Sequence, residues 1–524
     1  MLRNKSISKI LLFVVAMLGM YACTSNFDEI NRDPYGVDNE ELGREGYNVG
    51  ASLIGMQSFV IPTQEHLHQF HEVLAGCSFG GYTAVTPEWT AKFSTYNPPQ
   101  DWIKAPFNDV ISGIYPYYEQ MHAVTDEPIA LALAKLLRVA SMHRITDTFG
   151  PIPYSQMSAA GGSAGGNSLT APYDSQEVVY KQMIKELDEV IELFTENSLA
   201  VSYPEYDKVY AGNVINWAKF ANSLKLRIAM RMSYIDPVLA KKTAEETVSH
   251  SIGVITANEG NAFLKVNTNP FELQVVQWGD DRTGADITSY MNGYKDPRRE
   301  KYFKLSTFTT PGITNGYHGL RSGVDISSKV RSMEYSMPIV NVSDPIMWMN
   351  AAEVTFLRAE GALRGWTMGG TAEDLYNQAI TLSFAQHGAS EVTAYLNDET
   401  SVPANYVDPL GTYTYNGAQS SITIKWDETA SFETNLERII TQKWIAIFPL
   451  GNEAWAEFRR TGYPQLMPVV LNKSGGTVST EKMIRRLSYP DTEYSENSEN
   501  IYNAVQMLNG PDTGGTNLWW DAKK

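Results

Sequence analysis

Apolar positions recur every three or four residues over most of the chain, the spacing of one helix face. The pattern predicts helices over Leu42–Gly76, Trp102–Val124, Pro128–Thr148, Ser175–Phe194, Asn213–Met232, Pro237–His250, Met347–Gly365, Ala372–His387, Asn435–Ile447 and Asn452–Thr461. A weaker periodicity covers Glu496–Leu508. The run Ala130, Leu131, Leu133, Ala134, Leu137, Val139 and Ala140 is apolar nearly all round, which predicts a buried helix.

Several helices fall into antiparallel pairs with short connectors. Leu357–Gly361, a turn at Gly369-Gly370, and Leu375–Ala379 form one pair, with Ala359 and Ala379 small enough for close approach. It looks like a degenerate tetratricopeptide unit. Further pairs are 102–124 with 128–148, 175–194 with 213–232, and 435–447 with 452–461. An irregular α-rich domain fits the same pattern.

Between the pairs lie long segments without helical period: 78–102, 267–342 and 400–426, and the Gly/Ser tract 161–166. Asn416-Gly417 predicts a hairpin near Tyr415, because Asn-Gly supplies the positive φ of a tight turn. Loops this long are functional or disordered, and their Tyr and Trp content argues for function.

The first residues change the picture. Arg3, Lys5 and Lys9 precede an apolar run, Ile10 to Met20, and then Tyr21-Ala22-Cys23. That is the layout of a secretory signal, residues 1–22. The run falls short of the roughly 20 residues a spanning helix needs. Cys23 stands at the cleavage point, where it can take a diacylglycerol and an acyl chain. Several chains at about 0.8 kcal/mol per buried methylene make a stable anchor. Residues 23–40 then read as a tether, and 41–524 as a single body. Tyr21 departs from a strict lipidation motif, and an ordinary cleavage site is the plainer alternative. Cys77 is the other cysteine, expected as a small buried residue, so stability rests on the core rather than on disulfides.

The net charge is −17, and removal of Arg3, Lys5 and Lys9 makes it more negative still. That excludes nucleic acid and electrostatic docking on anionic lipid, leaving the anchor as the membrane contact. Aromatics make up 11% of the chain. Flat apolar faces with polar tips suit sugar clefts, and large cores as well.

A sugar site needs exposed aromatics beside amides, carboxylates or guanidinium groups on a loop. Two segments fit: Tyr82, Trp89, Tyr96, Asn97 and Trp102 in one, Trp278, Asp280, Asp281 and Arg282 in the other. Tyr317 and His318 fit less well. The plainer account is loop aromatics packed in satellite cores. His66, His68 and His71 invite a metal, but His66 points about 200° from His68 around a helix. Asp280, Asp281 and Asp286 lack the alternating acids and Gly of a calcium loop. No metal or cofactor is therefore assigned.

Five stretches, in order, resemble the SusD/RagB family of outer-membrane lipoproteins, in its starch-binding-associated branch. They are Asn26–Asn31 with Asp33-Pro34; Ile145–Tyr154; Tyr290-Met291 with Asp296–Arg298 and Tyr302-Phe303; Ala351–Leu363; and Gln442–Ala446 with Glu453–Trp455 and Arg459–Pro464. The resemblance implies a mainly α fold, an α-superhelix of tetratricopeptide-like pairs with long irregular loops and a few short strands. It implies a lipid-anchored protein of the outer membrane, exposed at the cell surface. Such a protein rests as a lid on a SusC-like TonB-dependent barrel and captures an oligosaccharide or, alternatively, a peptide. The contact residues of the family vary and are not carried over. The same stretches also read as scaffold. Asp147 and Asp296 precede turns, where a carboxylate accepts backbone N–H groups. Arg459 and Arg460 end a helix within reach of Glu453 and Glu457. Trp444 and Trp455 read as core anchors.

Two other classes stay in view. A glycoside hydrolase needs two carboxylates flanking one bond, and none of the 59 acids is marked out for that task. No H-E-x-x-H or phosphate-cradling Gly loop occurs, so the chain reads as a non-enzyme. A surface adhesin without a small ligand is the third class.

Overall fold

Pro128 opens the longest helix among the described residues, in the position where its missing N–H costs nothing. Glu127 caps it, its carboxylate accepting from Ile129 N at 2.9 Å and Ala130 N at 2.7 Å. The helix runs to Phe149 and is buried along most of its length, as its all-round apolar pattern predicts. The computed structural model describes residues 46–157, 171–418 and 420–524. The signal 1–22, Cys23, the tether 23–40 and the Gly/Ser tract 161–166 lie outside the described residues.

The helices that carry the fold are α1 (Tyr47–Val60), α2 (Glu65–His68), α3 (Val110–Val124), α4 (Pro128–Phe149), α5 (Gln176–Glu196), α6 (Val214–Arg231), α7 (Pro237–Ser249), α8 (Ala351–Leu363), α9 (Ala372–His387), α10 (Phe432–Ala446) and α11 (Gly451–Thr461). Sequential neighbours pack as α3 on α4, α4 on α5, α5 on α6, α6 on α7 and α8 on α9. Thr371 caps α9 by accepting from Asp374 N, and Gly388 closes it with a left-handed residue. Strands are short and occur as two-stranded ribbons, among them β1 (Thr83–Val85) antiparallel to β2 (Asp281–Thr283). Val49–Lys524 is one compact unit around one main core, with two small satellite clusters.

Four expectations are corrected. The helix read over Leu42–Gly76 is broken at 61–64, where Pro62 brings no N–H, and resumes as α2. From α2 it continues as a π-helix, Gln69–Cys77. Met347 belongs to a strand, Ile346–Met349, and α8 begins only after Asn350, whose side chain accepts from Glu353 N at 2.8 Å. The hairpin near Tyr415 is not formed. Instead the loop wraps around Asp408, whose carboxylate accepts from Thr412 N and Tyr413 N, each at 2.9 Å. Lastly, α11 makes few contacts with α10 and lies chiefly on the π-helix. Gly451 allows this: a Cβ there would meet Cys77 N at 2.1 Å.

The stretch Asn26–Asn31 with Asp33-Pro34 lies outside the described residues; the other family stretches lie largely in the interior, and Asp296 accepts from Arg298 N at 2.9 Å, as its place before a turn predicts. Trp444 and Trp455 are core residues. Asp147 takes bonds from Trp520 Nε1 at 2.9 Å and Arg231 Nε at 3.2 Å rather than from a turn. Arg460 reaches Glu457 and Glu360, whereas Arg459 donates to carbonyls and lies 3.6 Å over the Trp455 ring.

Candidate functional site

The β1–β2 ribbon brings together two loops that are far apart in sequence. Thr83 faces Thr283, Ala84 faces Arg282 and Val85 faces Asp281. Thr86 extends the join, its N–H donating to Asp280 O at 2.9 Å. This pairing places the loop after β1, with Trp89, beside the turn that carries Trp278.

Around that join five rings form a continuous strip. Trp278 lies 5.7 Å from His66 with planes 24° apart, His66 lies 6.3 Å from Phe70 at 19°, and Phe70 lies 5.2 Å from Trp102 at 22°. Trp89 stands nearly upright against Trp102, 5.0 Å away at 75°. His66 is exposed and the other four are half-buried, so the strip is an aromatic ledge open to solvent.

Each ring is held by its backbone. His66 and Phe70 sit four residues apart, on one face of α2 and the π-helix that follows it. Gln64 caps α2, accepting from Leu67 N at 2.8 Å. Trp102 belongs to a short helix, Gln100–Lys104. Trp278 ends a π-helical turn, Leu273–Trp278, closed by Gly279 at φ +64°. A Cβ on Gly279 would meet Met333 Cε at 2.9 Å, so a side chain there would be strained twice over.

The remaining residues named from the sequence are buried or half-buried. Tyr82 is fully buried, stacked 5.4 Å from Trp444 with its hydroxyl on Trp444 O. Tyr96 is buried against Phe79. Asn97 is half-buried and ties its own loop, accepting from Thr95 Oγ1 at 2.6 Å. Arg282 donates to the carbonyls of Val275, Asp281 and Met333, pinning the Trp278 turn to the ribbon. Asp281 is fully buried, and burial, with Asp280 beside it, pushes its carboxyl well above the usual range. Asp280 accepts from Lys329 Nζ at 2.6 Å and Gln69 Nε2 at 3.0 Å. Tyr317 packs under the Arg299 guanidinium and His318 against Phe308, in no ring contact with the ledge among the described residues. His66 and Phe70 were missed as ligand residues. Their signal was present: two rings four residues apart, at helical spacing.

The histidines do not converge. His68 and His71 are buried, and burial lowers each to about 4. Among the described residues no three His, Cys, Asp or Glu side chains meet as a metal site. A cavity of about 430 Å³ also opens beside this segment, lined by His68, Glu72, Phe271, Tyr302, His387 and Phe448. Glu72 is already committed to Arg144 and Asn452. Among the described residues no helix is long and apolar enough to cross a membrane.

Chemically, the ledge offers aromatic rings bordered by amides, carboxylates and ammonium groups. Comparison with known proteins identifies the family. A family model described as SusD-like, Susd and RagB outer membrane lipoprotein, matches residues 29–521. Among solved structures, the chain is 47% identical to a SusD homolog from Bacteroides thetaiotaomicron, at a TM-score of 0.85 over 91% of this chain and 99% of that one. It is 45% identical to a SusD homolog from Bacteroides uniformis, at a TM-score of 0.86 over 91% and 100%. It is 37% identical to a chitin-binding SusD homolog from Flavobacterium johnsoniae, at a TM-score of 0.84 over 91% and 99%. No curated protein matches the chain.

Proposed function

Since the chain belongs to the SusD-like family of Susd and RagB outer membrane lipoproteins, we propose that it captures a glycan on the aromatic ledge and passes it, as a lid, to a TonB-dependent outer-membrane barrel. The observation that carries the reading is the run of partly exposed rings from Trp278 to Trp89. Sugars present C–H patches that stack on such faces, and the hydroxyls around each patch need polar partners at the rim. Trp89, Trp102 and Trp278, with the rim residue Asp280, are the contact residues from the sequence reading; His66 and Phe70 join them. Tyr82, Tyr96, Asn97, Asp281 and Arg282 form the support beneath. That a chitin-binding protein is among the relatives favours glycan over peptide cargo.

The rim acids favour holding over cleaving. Asp280 is taken by Lys329 and Gln69, and Glu88 accepts from Lys329 N at 2.9 Å. Neither is a free acid facing a free base across the rings, as hydrolysis requires. The anchor is the lipid on Cys23, with the signal 1–22 removed and residues 23–40 as tether to a single body.

Affinity electrophoresis in gels carrying neutral polysaccharides tests the function. The mature protein is retarded in at least one gel and leaves the polysaccharide length unchanged. Retardation in none, with peptide binding instead, would transfer the ledge to peptide cargo, and shortened polysaccharide would make the protein a hydrolase. For the anchor, Cys23→Ser shifts the protein from the outer-membrane fraction to the soluble one.

A further inference from the structure

We propose that the cavity beside the π-helix Gln69–Cys77 is a binding site, separate from the ledge, for a small apolar carboxylic acid held as its carboxylate. Its volume of about 430 Å³ falls within the span of small-molecule pockets, roughly 300–1,000 Å³. Phe263, Phe271, Tyr302, Ile346, Met347 and Phe448 give it an apolar wall. Tyr302 lies 5.1 Å from Phe448 with planes 23° apart, and Phe271 lies 6.5 Å from Phe448 at 72°. Rings packed on one another in this way make a fixed lining, which suits an apolar body.

The polar lining decides what that body carries. Its side-chain acceptors are engaged within the protein. Glu72 accepts from Arg144 and Asn452, Gln386 Oε1 from Asn261 and Asn350, Asn269 Oδ1 from Phe271 N, and the Asp344 carboxylate from Asn341 N. Several donors are engaged too: the Tyr302 hydroxyl on Ile445 O, Asn269 Nδ2 on Asp344 O and Cys77 Sγ on Pro449 O. Three lining groups keep a nitrogen without a partner among the described residues. Gln274 Nε2 donates to His68 Nδ1 at 3.3 Å and to Glu65 O at 2.9 Å, so the His68 proton sits on Nε2, which is one of them. His387 stands edge-on to Tyr302 at 4.7 Å with its Nε2 buried and unpaired; the tautomer with its proton there donates. Lys301 is exposed at the mouth, and its ammonium makes no ion pair. Burial lowers both imidazoles to about 4, so each is neutral at pH 7. Two N–H groups and one ammonium, with no free acceptor, fit a ligand that brings acceptors and negative charge. A sugar fits poorly, since each hydroxyl also brings a proton that would stay unpaired. The ledge is a different surface. His66 and His68 stand about 200° apart around α2, one against Trp278 and the other lining the cavity.

Calorimetric titration of the full mature protein tests the assignment. The probes are phenylacetate, phenylpropionate and isocaproate, each beside its amide, with acetate as the acid that lacks an apolar body. At least one of the three acids binds about tenfold or more tightly than its amide and than acetate. Lys301→Met, at an exposed position that carries no folding burden, weakens that acid about fivefold or more and leaves the amide unchanged. His387→Phe keeps a ring against Tyr302, removes the unpaired nitrogen and weakens the acid as well. His66→Ala, on the ledge, leaves acid binding as it was. Equal affinity for acid and amide would overturn the inference, as would full affinity in Lys301→Met. Loss of acid binding in His66→Ala would place the acid on the ledge and overturn it too. Binding of none of the three acids would remove the site and leave the glycan reading of the ledge standing.

Discussion

Two regions use charged and aromatic side chains in opposite ways: the junction of α4, α6, α8, α10 and α11, and the ledge. At the junction Arg231 of α6 reaches Asp147 of α4 at 3.2 Å, Glu453 of α11 at 2.5 Å, and Glu457. Arg227 grips Glu353 of α8 with two bonds of 2.7 and 2.8 Å. Arg460 joins Glu360 and Glu457, and Lys443 of α10 lies 3.2 Å from both Glu453 and Glu457. All of these groups are buried and mutually partnered. Rings there are consumed too, as Trp520 is beneath Arg231 and Arg459. On the ledge the rings are exposed or half-buried, and the Lys329–Asp280 ion pair at the rim is partly wet. A buried group whose partners all come from the protein orders the fold; a ring whose outer face has none is available to a ligand.

The comparison is broken hardest at Arg231. Arg231→Ala strands Asp147, Glu453 and Glu457 without their guanidinium, and breaking a buried pair this way costs about 3–5 kcal/mol. Denaturant unfolding of the variant shows a loss of that size. Glycan affinity, measured where the variant is still folded, stays near the parent value, because Arg231 supports no ledge ring directly.

Acid acts on the same region next. Burial alone would raise the Glu453 carboxyl, but Arg231, Lys443 and Arg227 overcome it and hold the group at about 2. Its contribution is present above the unfolded value of 4.5 and is lost as pH falls through 2. The buried histidines act earlier. Burial lowers His68, His71, His143 and His387 from 6.5 to about 4. Between those values the unfolded chain binds the protons, so stability falls as pH falls from 6.5 to 4. Unfolding free energies measured across that range decline, by an amount on the order of a few kcal/mol for each histidine that stays neutral in the fold. His143→Gln gives a shallower slope; an unchanged slope would mean that His143 is protonated in the folded protein.

At the ledge the largest single effect belongs to Trp102, which touches Phe70, Phe93 and Trp89. Trp102→Ala removes a central stacking face and weakens glycan binding about ten- to hundredfold, or ~1.4–2.7 kcal/mol. Its stability loss is smaller than that of Arg231→Ala. The reverse ranking, intact affinity with a large stability loss, would make Trp102 a core residue.

How much of this was legible depends on how local the cause is. The helix Pro128–Phe149 is written in its own residues: Glu127 as cap, Pro128 at the first turn, and Gly150 after the end. The break at Pro62 and the π-helix beyond it are not, since a π-helix has no sequence period and answers to packing against Gly451. The failed hairpin has the same origin: Asp408 takes the loop's N–H groups and binds Tyr335, a partner far back in the chain. Trp89, Trp102 and Trp278 were visible as loop aromatics, but their meeting depends on the β1–β2 pairing, which no local pattern reveals. Tyr82 and Arg282 carry the same residue-type signal as ledge residues and differ only in depth.

The smallest effect lies where the two regions look most alike. Lys329–Asp280 is an ion pair, as Arg231–Glu453 is, but Lys329 is 33% exposed against 0% for Arg231. Water already solvates the ammonium, and a partly exposed pair of this kind contributes about 0.2–1 kcal/mol. Lys329→Met therefore moves the unfolding midpoint little and changes affinity for a neutral glycan less than about fivefold. High salt weakens the parent pair and brings the two proteins closer together. A loss of affinity of tenfold or more in Lys329→Met, with the fold intact, would place the ammonium in contact with the sugar. It would also move the boundary between the supporting and the binding residues outward by one ion pair.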